Sequence, residues 1–269
     1  MSKLIHVYGD SYAAPTEKLC TEEDAAKNDF KVSNIHTPWQ WFNIVGRSLE
    51  CVAGKIHGMF GASNTYTIDT MLKTWDTINP GDIVIIVTTQ NTRRWLIYDR
   101  PDLSNVHYSN TPPHEWADIS KQTSNAVIEY MRWLHNPKLD TIDGNVADLA
   151  FEGITNRLHE KEVTVLLIPG FEDSSTLYRG SAIGGLDQIS NNEFESYYEG
   201  KLWYEESRIP DQRVNHMCKT NHAILADKVI DTLVNNVPLD LTTGFKEKFL
   251  RYKDLDSLRG SELLEWGIR

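Results

Sequence analysis

The run Asp82 to Val87 (DIVIIV) does most to restrict what this chain can fold into. A strand with one wet face alternates apolar and polar residues, whereas an almost unbroken β-branched run must be covered on both faces. That is the habit of strands in a parallel sheet flanked by helices. A second such run, Val163 to Ile168 (VTVLLI), ends at Pro169-Gly170. Lys3 to Tyr8 reads as the first strand and Glu50 to Ile56 as a short second one. Helical spacing predicts a helix over Pro38–Leu49, where Thr37-Pro38 gives a start signal ahead of Trp41, Phe42, Val45 and Leu49. A second helix is predicted over Asn64–Trp75, with Ile68, Met71, Leu72 and Trp75 on one face. Ser120–Leu134, Val146–His159 and His222–Val234 complete the set. Strand and helix alternate throughout, which predicts an α/β class with a mainly parallel sheet and helices on both faces.

Two segments break the rhythm. Residues 170–212 form a connection longer than a compact domain usually leaves without a purpose. Its aromatics (Tyr178, Tyr197, Tyr198, Trp203, Tyr204) point to an ordered lid or substrate wall. Residues 236–269 follow the last core helix and carry Phe245, Phe249, Leu255, Leu258, Leu263 and Trp266. Packing on the body comes first for this extension, ahead of contact with a second copy or with another partner. The expected organisation is one domain over 1–235 followed by that extension.

Composition narrows the function classes. A net charge of −11 without a basic patch argues against a nucleic-acid surface or an anionic membrane. Cys20, Cys51 and Cys218 show no CxxC spacing and leave one over, so neither a disulfide framework nor a zinc site is indicated. Leu4–Tyr8 is too short for the apolar stretch of a signal peptide, and no apolar run approaches a membrane span. The expectation is a soluble protein of a reducing compartment.

The first strand stops at Gly9, and Asp10-Ser11 follow at once. Glycine permits a sharp turn, so the serine is presented at the carboxyl edge of the sheet, where open α/β sheets bind ligands. The tripeptide is equally an ordinary turn; read functionally, it presents a serine nucleophile. Such a serine needs a base. Seven of the nine histidines (His6, His36, His57, His107, His114, His135, His159) stand singly in structural or solvated contexts. His216 and His222 differ, because a loop there runs into the last core helix. A separation of six residues does not put both on one helix face, so a shared metal is the weaker reading.

Gly9-Asp10-Ser11 together with the late His216 resembles the GDSL/SGNH hydrolase superfamily. Gly61-Ala62-Ser63-Asn64 resembles that family's second block, and His216 to His222 its last, with Asn221 where the family often has glycine. A Ser-Asn pair after the second-block glycine is similar to members from tailed bacteriophages, which sets a virion-associated location, and a virion partner for the extension, beside a cytoplasmic one. The resemblance spans Lys3 to about Val234. It implies a flavodoxin-like three-layer α/β/α sandwich and carboxylester hydrolysis, with O-acetyl groups on carbohydrate as the first substrate class. No cofactor or metal is called for.

By the same resemblance Ser11 is the nucleophile and His216 the base, while the backbone N–H groups of Ser11 and Gly61 receive the oxyanion. The family's third block, GxND, is replaced by Thr88-Thr89-Gln90-Asn91-Thr92-Arg93. Asn91 is the first choice for the side-chain amide of the oxyanion hole and Gln90 the second; such a donor is worth about 3–4 kcal/mol. Where the family places Asp before its His, this chain has Arg213. Asp211 could serve as the acid; the alternatives are a backbone carbonyl, which leaves a Ser-His dyad, or a carboxylate from elsewhere. Asp10 is expected to brace the loop. Three rivals remain. One is a degenerate binding or virion-structural module on the same fold, and one a lipase-like or thioesterase activity on the same residues. The third, a nucleotide binder, lacks any GxGxxG or GxxxxGK[ST] loop.

Overall fold

The computed structural model describes residues 3–14, 40–59, 62–91, 93, 137–171, 182–189, 197–198, 201–202, 217 and 219–245. Their elements are β1 (Leu4–Gly9), α1 (Trp41–Ser48), β2 (Val52–Gly58), α2 (Asn64–Thr74), β3 (Ile83–Thr88), α3 (Pro137–Glu160), β4 (Thr164–Pro169), β5 (Tyr197–Tyr198), β6 (Lys201–Leu202) and α4 (Lys219–Asn235). Single 3-10 turns cover Trp75–Thr77 and Leu186–Ile189. Two compact units emerge: Lys3–Ala14 with Gly54–Gly180, and Met1–Ser2 with Pro15–Ala53 and Ser181–Arg269.

In the first unit the main sheet has the order β2-β1-β3-β4. β3 pairs in parallel with β1 (Val7 opposite Ile85) and with β4 (Ile85 opposite Leu166). This is the doubly wound order of flavodoxin-like folds, and the direction of winding reverses between β1 and β3. Every residue of β3 is buried, as its unbroken apolar run requires. Successive side chains point to opposite faces. Tyr8, Val84, Ile86 and Leu167 therefore join Met71 of α2 and Phe151, Ile154 and Leu158 of α3 in one apolar cluster.

The amino ends of the strands are fixed by one carboxylate. Asp82, just ahead of β3, accepts hydrogen bonds from the Leu4 and Asn79 amides at 2.9 and 2.8 Å. It also lies 3.2 Å from Nε2 of buried His6. His6 is thus a structural histidine, and His57, stacked on Tyr8 at 4.7 Å between centroids, is another.

Several sequence expectations shift. β2 begins at Val52 because Glu50, at φ 53°, turns the chain out of α1 in a left-handed conformation, returning the Cys51 amide to the Gly46 carbonyl. α3 begins at Pro137, nine residues before the predicted Val146. Proline suits the first turn of a helix, where an N–H has no intrahelical partner. Leu72 does not join the buried face of α2. It is 54% exposed, while Asn64, Thr67 and Met71 form the buried stripe. The helix predicted over Ser120–Leu134 and the start signal Thr37-Pro38 lie outside the described residues.

In the second unit α1 packs on α4. Extension residues Leu239 and Leu241 are buried, and their backbone brackets Ile183 through Ile183 N–H to Leu239 O (2.8 Å) and Leu241 N–H to Ile183 O (2.9 Å). Residues Tyr197–Tyr198 and Lys201–Leu202 of the long connection pair as antiparallel strands. No helix among the described residues is long and apolar enough to cross a membrane.

Met71→Ala should lower the unfolding free energy by about 3 kcal/mol, whereas Leu72→Ala should stay within about 0.5 kcal/mol, measured by urea denaturation. Tyr8 supplies a pH test. Burial raises its phenol above the ordinary 10.0, against a smaller opposing pull from the Thr74 hydrogen bond. A raised folded value means stability that is present below about pH 10 and lost as pH rises through the folded value. Tyr8→Phe should lose less stability than wild type between about pH 9 and pH 11 in thermal unfolding.

Candidate active site at the carboxyl edge of the sheet

Because β1 and β3 run in parallel, the residues that follow them emerge at the same edge of the sheet. That edge, at the point where the winding reverses, is where open α/β sheets form their binding crevice. Gly9 makes the exit from β1 possible. Its φ is +147°, and a Cβ there would sit 2.6 Å from the Val87 carbonyl oxygen and 2.7 Å from Val87 Cβ. Only glycine meets both conditions. The chain then closes a tight turn, with the Ala13 amide on the Asp10 carbonyl at 3.0 Å and the Ala14 amide on the Ser11 carbonyl at 3.3 Å. Ser11 is half-buried within this turn. Gly58 lets the end of β2 lie directly on the Ala13-Ala14 peptide, where a Cβ would approach Ala13 C to 2.1 Å.

Asp10 is fully buried and braces this turn, as the sequence suggested. Its Oδ1 accepts the Tyr12 amide at 3.0 Å. Its Oδ2 accepts the Thr89 hydroxyl at 3.1 Å and the Arg93 guanidinium at 2.8 Å. Arg93 lies 4.8 Å over the Phe171 ring, and Phe171 meets Tyr12 edge-on at 5.8 Å. The loops after β1, β3 and β4 are thereby joined through one carboxylate, one guanidinium and one ring.

Of the segment that resembles the second block, Ala62 onward is described. Ser63 caps α2 by accepting the Tyr66 amide at 3.2 Å. Asn64 acts across the site: its Oδ1 accepts the Thr89 amide at 2.9 Å, and its Nδ2 donates to the Thr89 carbonyl at 3.0 Å and to Asn91 Oδ1 at 3.2 Å. It substitutes for a neighbouring strand and holds the loop after β3. Asn91 sits at that loop with its amide nitrogen against α3, 2.3 Å from where a Cβ on Gly144 would stand. Gln90 is half-buried, and its carbonyl accepts the Arg93 amide at 3.1 Å.

Gly61, Asp211 and His216 lie outside the described residues. His222 belongs to the second unit, where it is buried and its Nδ1 accepts the Trp41 amide at 3.4 Å. Asn221, which stands where the resembled family has glycine, donates to the Ile189 carbonyl at 2.9 Å. Sequence reading missed the parts played by Thr89, Arg93 and the Asn64 side chain. Their partners are 25 to 83 positions away in the chain, and no local pattern marks them.

No family model matches the chain, and no curated protein does. Among solved structures it is similar to a member of the lipolytic protein G-D-S-L family from Veillonella parvula, at 14% identity over 61% of this chain and 76% of that one, with a TM-score of 0.24. It is also similar to a protein of the G-D-S-L family from Desulfitobacterium hafniense, at 12% identity over 86% and 100%, with a TM-score of 0.32. A carbohydrate esterase gives 13% identity over 87% and 65%, also with a TM-score of 0.32. The first two carry in their printed names the family that the sequence blocks resemble. An overlap of this extent assigns no residue role.

Gly9→Ala should lower stability by about 2–5 kcal/mol, since it adds backbone strain and drives a methyl group into Val87. Urea denaturation of the variant beside wild type measures it; a loss below about 1 kcal/mol would show that the β1 exit can adopt another path.

Proposed function

We propose that the chain is a serine-dependent carboxylester hydrolase of the GDSL/SGNH type. The observation that carries this reading is the placement of Ser11. It stands in a braced turn at the carboxyl end of β1, beside the loop after β3, where the strand order reverses. His216 takes the Ser11 hydroxyl proton as the oxygen attacks the ester carbonyl, and the carbonyl electron pair moves onto its oxygen. The N–H groups of Ser11 and Gly61 receive that oxyanion. The Asn91 amide joins them once its side chain turns from Gly144.

Collapse of the intermediate breaks the ester C–O bond, and the departing alcohol takes the proton from His216. Water, deprotonated by His216, then cleaves the acyl-enzyme, and Ser11 recovers its proton. Asp211 orients the imidazole in this scheme; a backbone carbonyl in its place makes the pair a dyad. Small acyl groups such as O-acetyl on carbohydrate are the proposed substrates, a choice supported by the aromatic residues of 170–212.

A second reading keeps the fold as a binding or virion-structural module without turnover. The packing of the Asn91 amide against Gly144 favours it, because a donor turned into a helix receives no oxyanion.

The two separate with p-nitrophenyl acetate and a fluorophosphonate probe. Wild type should be labelled and should turn over the ester, and Ser11→Ala and His216→Ala should each lose both by at least about a thousandfold. A wild type inert to both reagents shifts the weight to the binding reading.

A further inference from the structure

The Asp10 carboxylate raises an electrostatic problem that the site must solve. It is fully buried one residue from Ser11, and consecutive Cα atoms are only about 3.8 Å apart. Attack by Ser11 places new negative charge at the Ser11 N–H. In a poorly screened interior, an uncompensated carboxylate on the neighbouring residue would oppose the transition state. Arg93 meets that carboxylate at 2.8 Å, with their side chains 8% and 0% exposed. Stacking on Phe171 at 4.8 Å and the bond to Asp10 turn the guanidinium inward. The block after β3, which lacks the glycine and the Asn-Asp pair of the resembled family, is the segment that supplies it.

We infer that Arg93 is a positioning residue whose charge cancels that of Asp10 beneath the nucleophile, so that the Ser11 turn is braced by a carboxylate without presenting a negative field to the reacting oxygen. This rests on Ser11 being the nucleophile. The pair acts through that serine and makes no contact with substrate in this role.

The rate of fluorophosphonate labelling reads the nucleophile directly, without any need for the natural ester. Arg93→Gln should label about ten- to a hundredfold more slowly than wild type, with an unchanged pattern of labelled residues. Arg93→Lys should recover most of that loss, because it restores the charge. The double variant Asp10→Asn with Arg93→Gln should also recover most of it, because it removes the charge that needed cancelling. A purely structural arginine would give the double variant no such rescue.

Thermal unfolding accompanies each measurement. If Arg93→Gln does not fold, the comparison passes to Arg93→Lys and the double variant, both expected within about tenfold of wild type. Two slow variants, each more than about a hundredfold down while cooperatively folded, overturn the inference. Equal rates for Arg93→Gln and the folded double variant also overturn it. Failure of the underlying reading looks different: wild type is then unlabelled, or Ser11→Ala is labelled as fast as wild type, and the role assigned to Arg93 falls with it.

Discussion

The carboxyl edge of the sheet depends on a buried carboxylate. Asp10 has no access to water, so its charge must be answered by protein groups, and an amide, a hydroxyl and a guanidinium do so from three places in the sequence. A group left unanswered there would cost several kcal/mol. That penalty fixes the path of the loop after β3, since Thr89 and Arg93 must both return to the β1 exit. It also seats Phe171, on which the guanidinium rests. The turn around Ser11 is ordered by what lies beneath it.

The opposite end of the sheet uses the same device. Asp82 gathers two backbone amides and His6 before the first residue of β3. One acid at each end, joined by parallel strands whose faces are both buried, holds the register of β1 against β3. A slip of one residue would move each of these carboxylates away from its donors as well as turning the apolar side chains over. Glycines then allow the close approaches that side chains would block: Gly9 against Val87, Gly58 against Ala13, and Gly170 against the Thr88 carbonyl.

The fold class was legible in the chain because burial on both faces leaves a mark in composition. DIVIIV could not be a half-wet strand, and VTVLLI is covered from Leu166 onward while Thr164 is exposed and Val165 half-buried; the parallel sheet follows. Element ends were less legible. The start of α3 at Pro137 and of β2 at Val52 depends on a proline that fits a helix terminus and on a left-handed Glu50, neither of which periodicity records. Leu72 looked like a core residue by spacing, but the stripe that α2 buries runs through Asn64 and Thr67, whose polar groups periodicity does not count as core.

For the site, the sequence by itself determined the exit of β1. Gly9 is demanded by a positive φ and a close approach, and Asp10 after it braces the turn that holds Ser11. The family resemblance pointed to the segment after β3 only through Asn91 and Gln90. Only the tertiary structure decided how that loop is held. The bonds from Asn64 to Thr89 and from Arg93 to Asp10 join residues brought together by the parallel pairing of β1 with β3. The physical reason is range: a turn is governed by the dihedral limits of a few adjacent residues, whereas the answer to a buried charge can come from any part of the chain that the fold brings within about 3 Å.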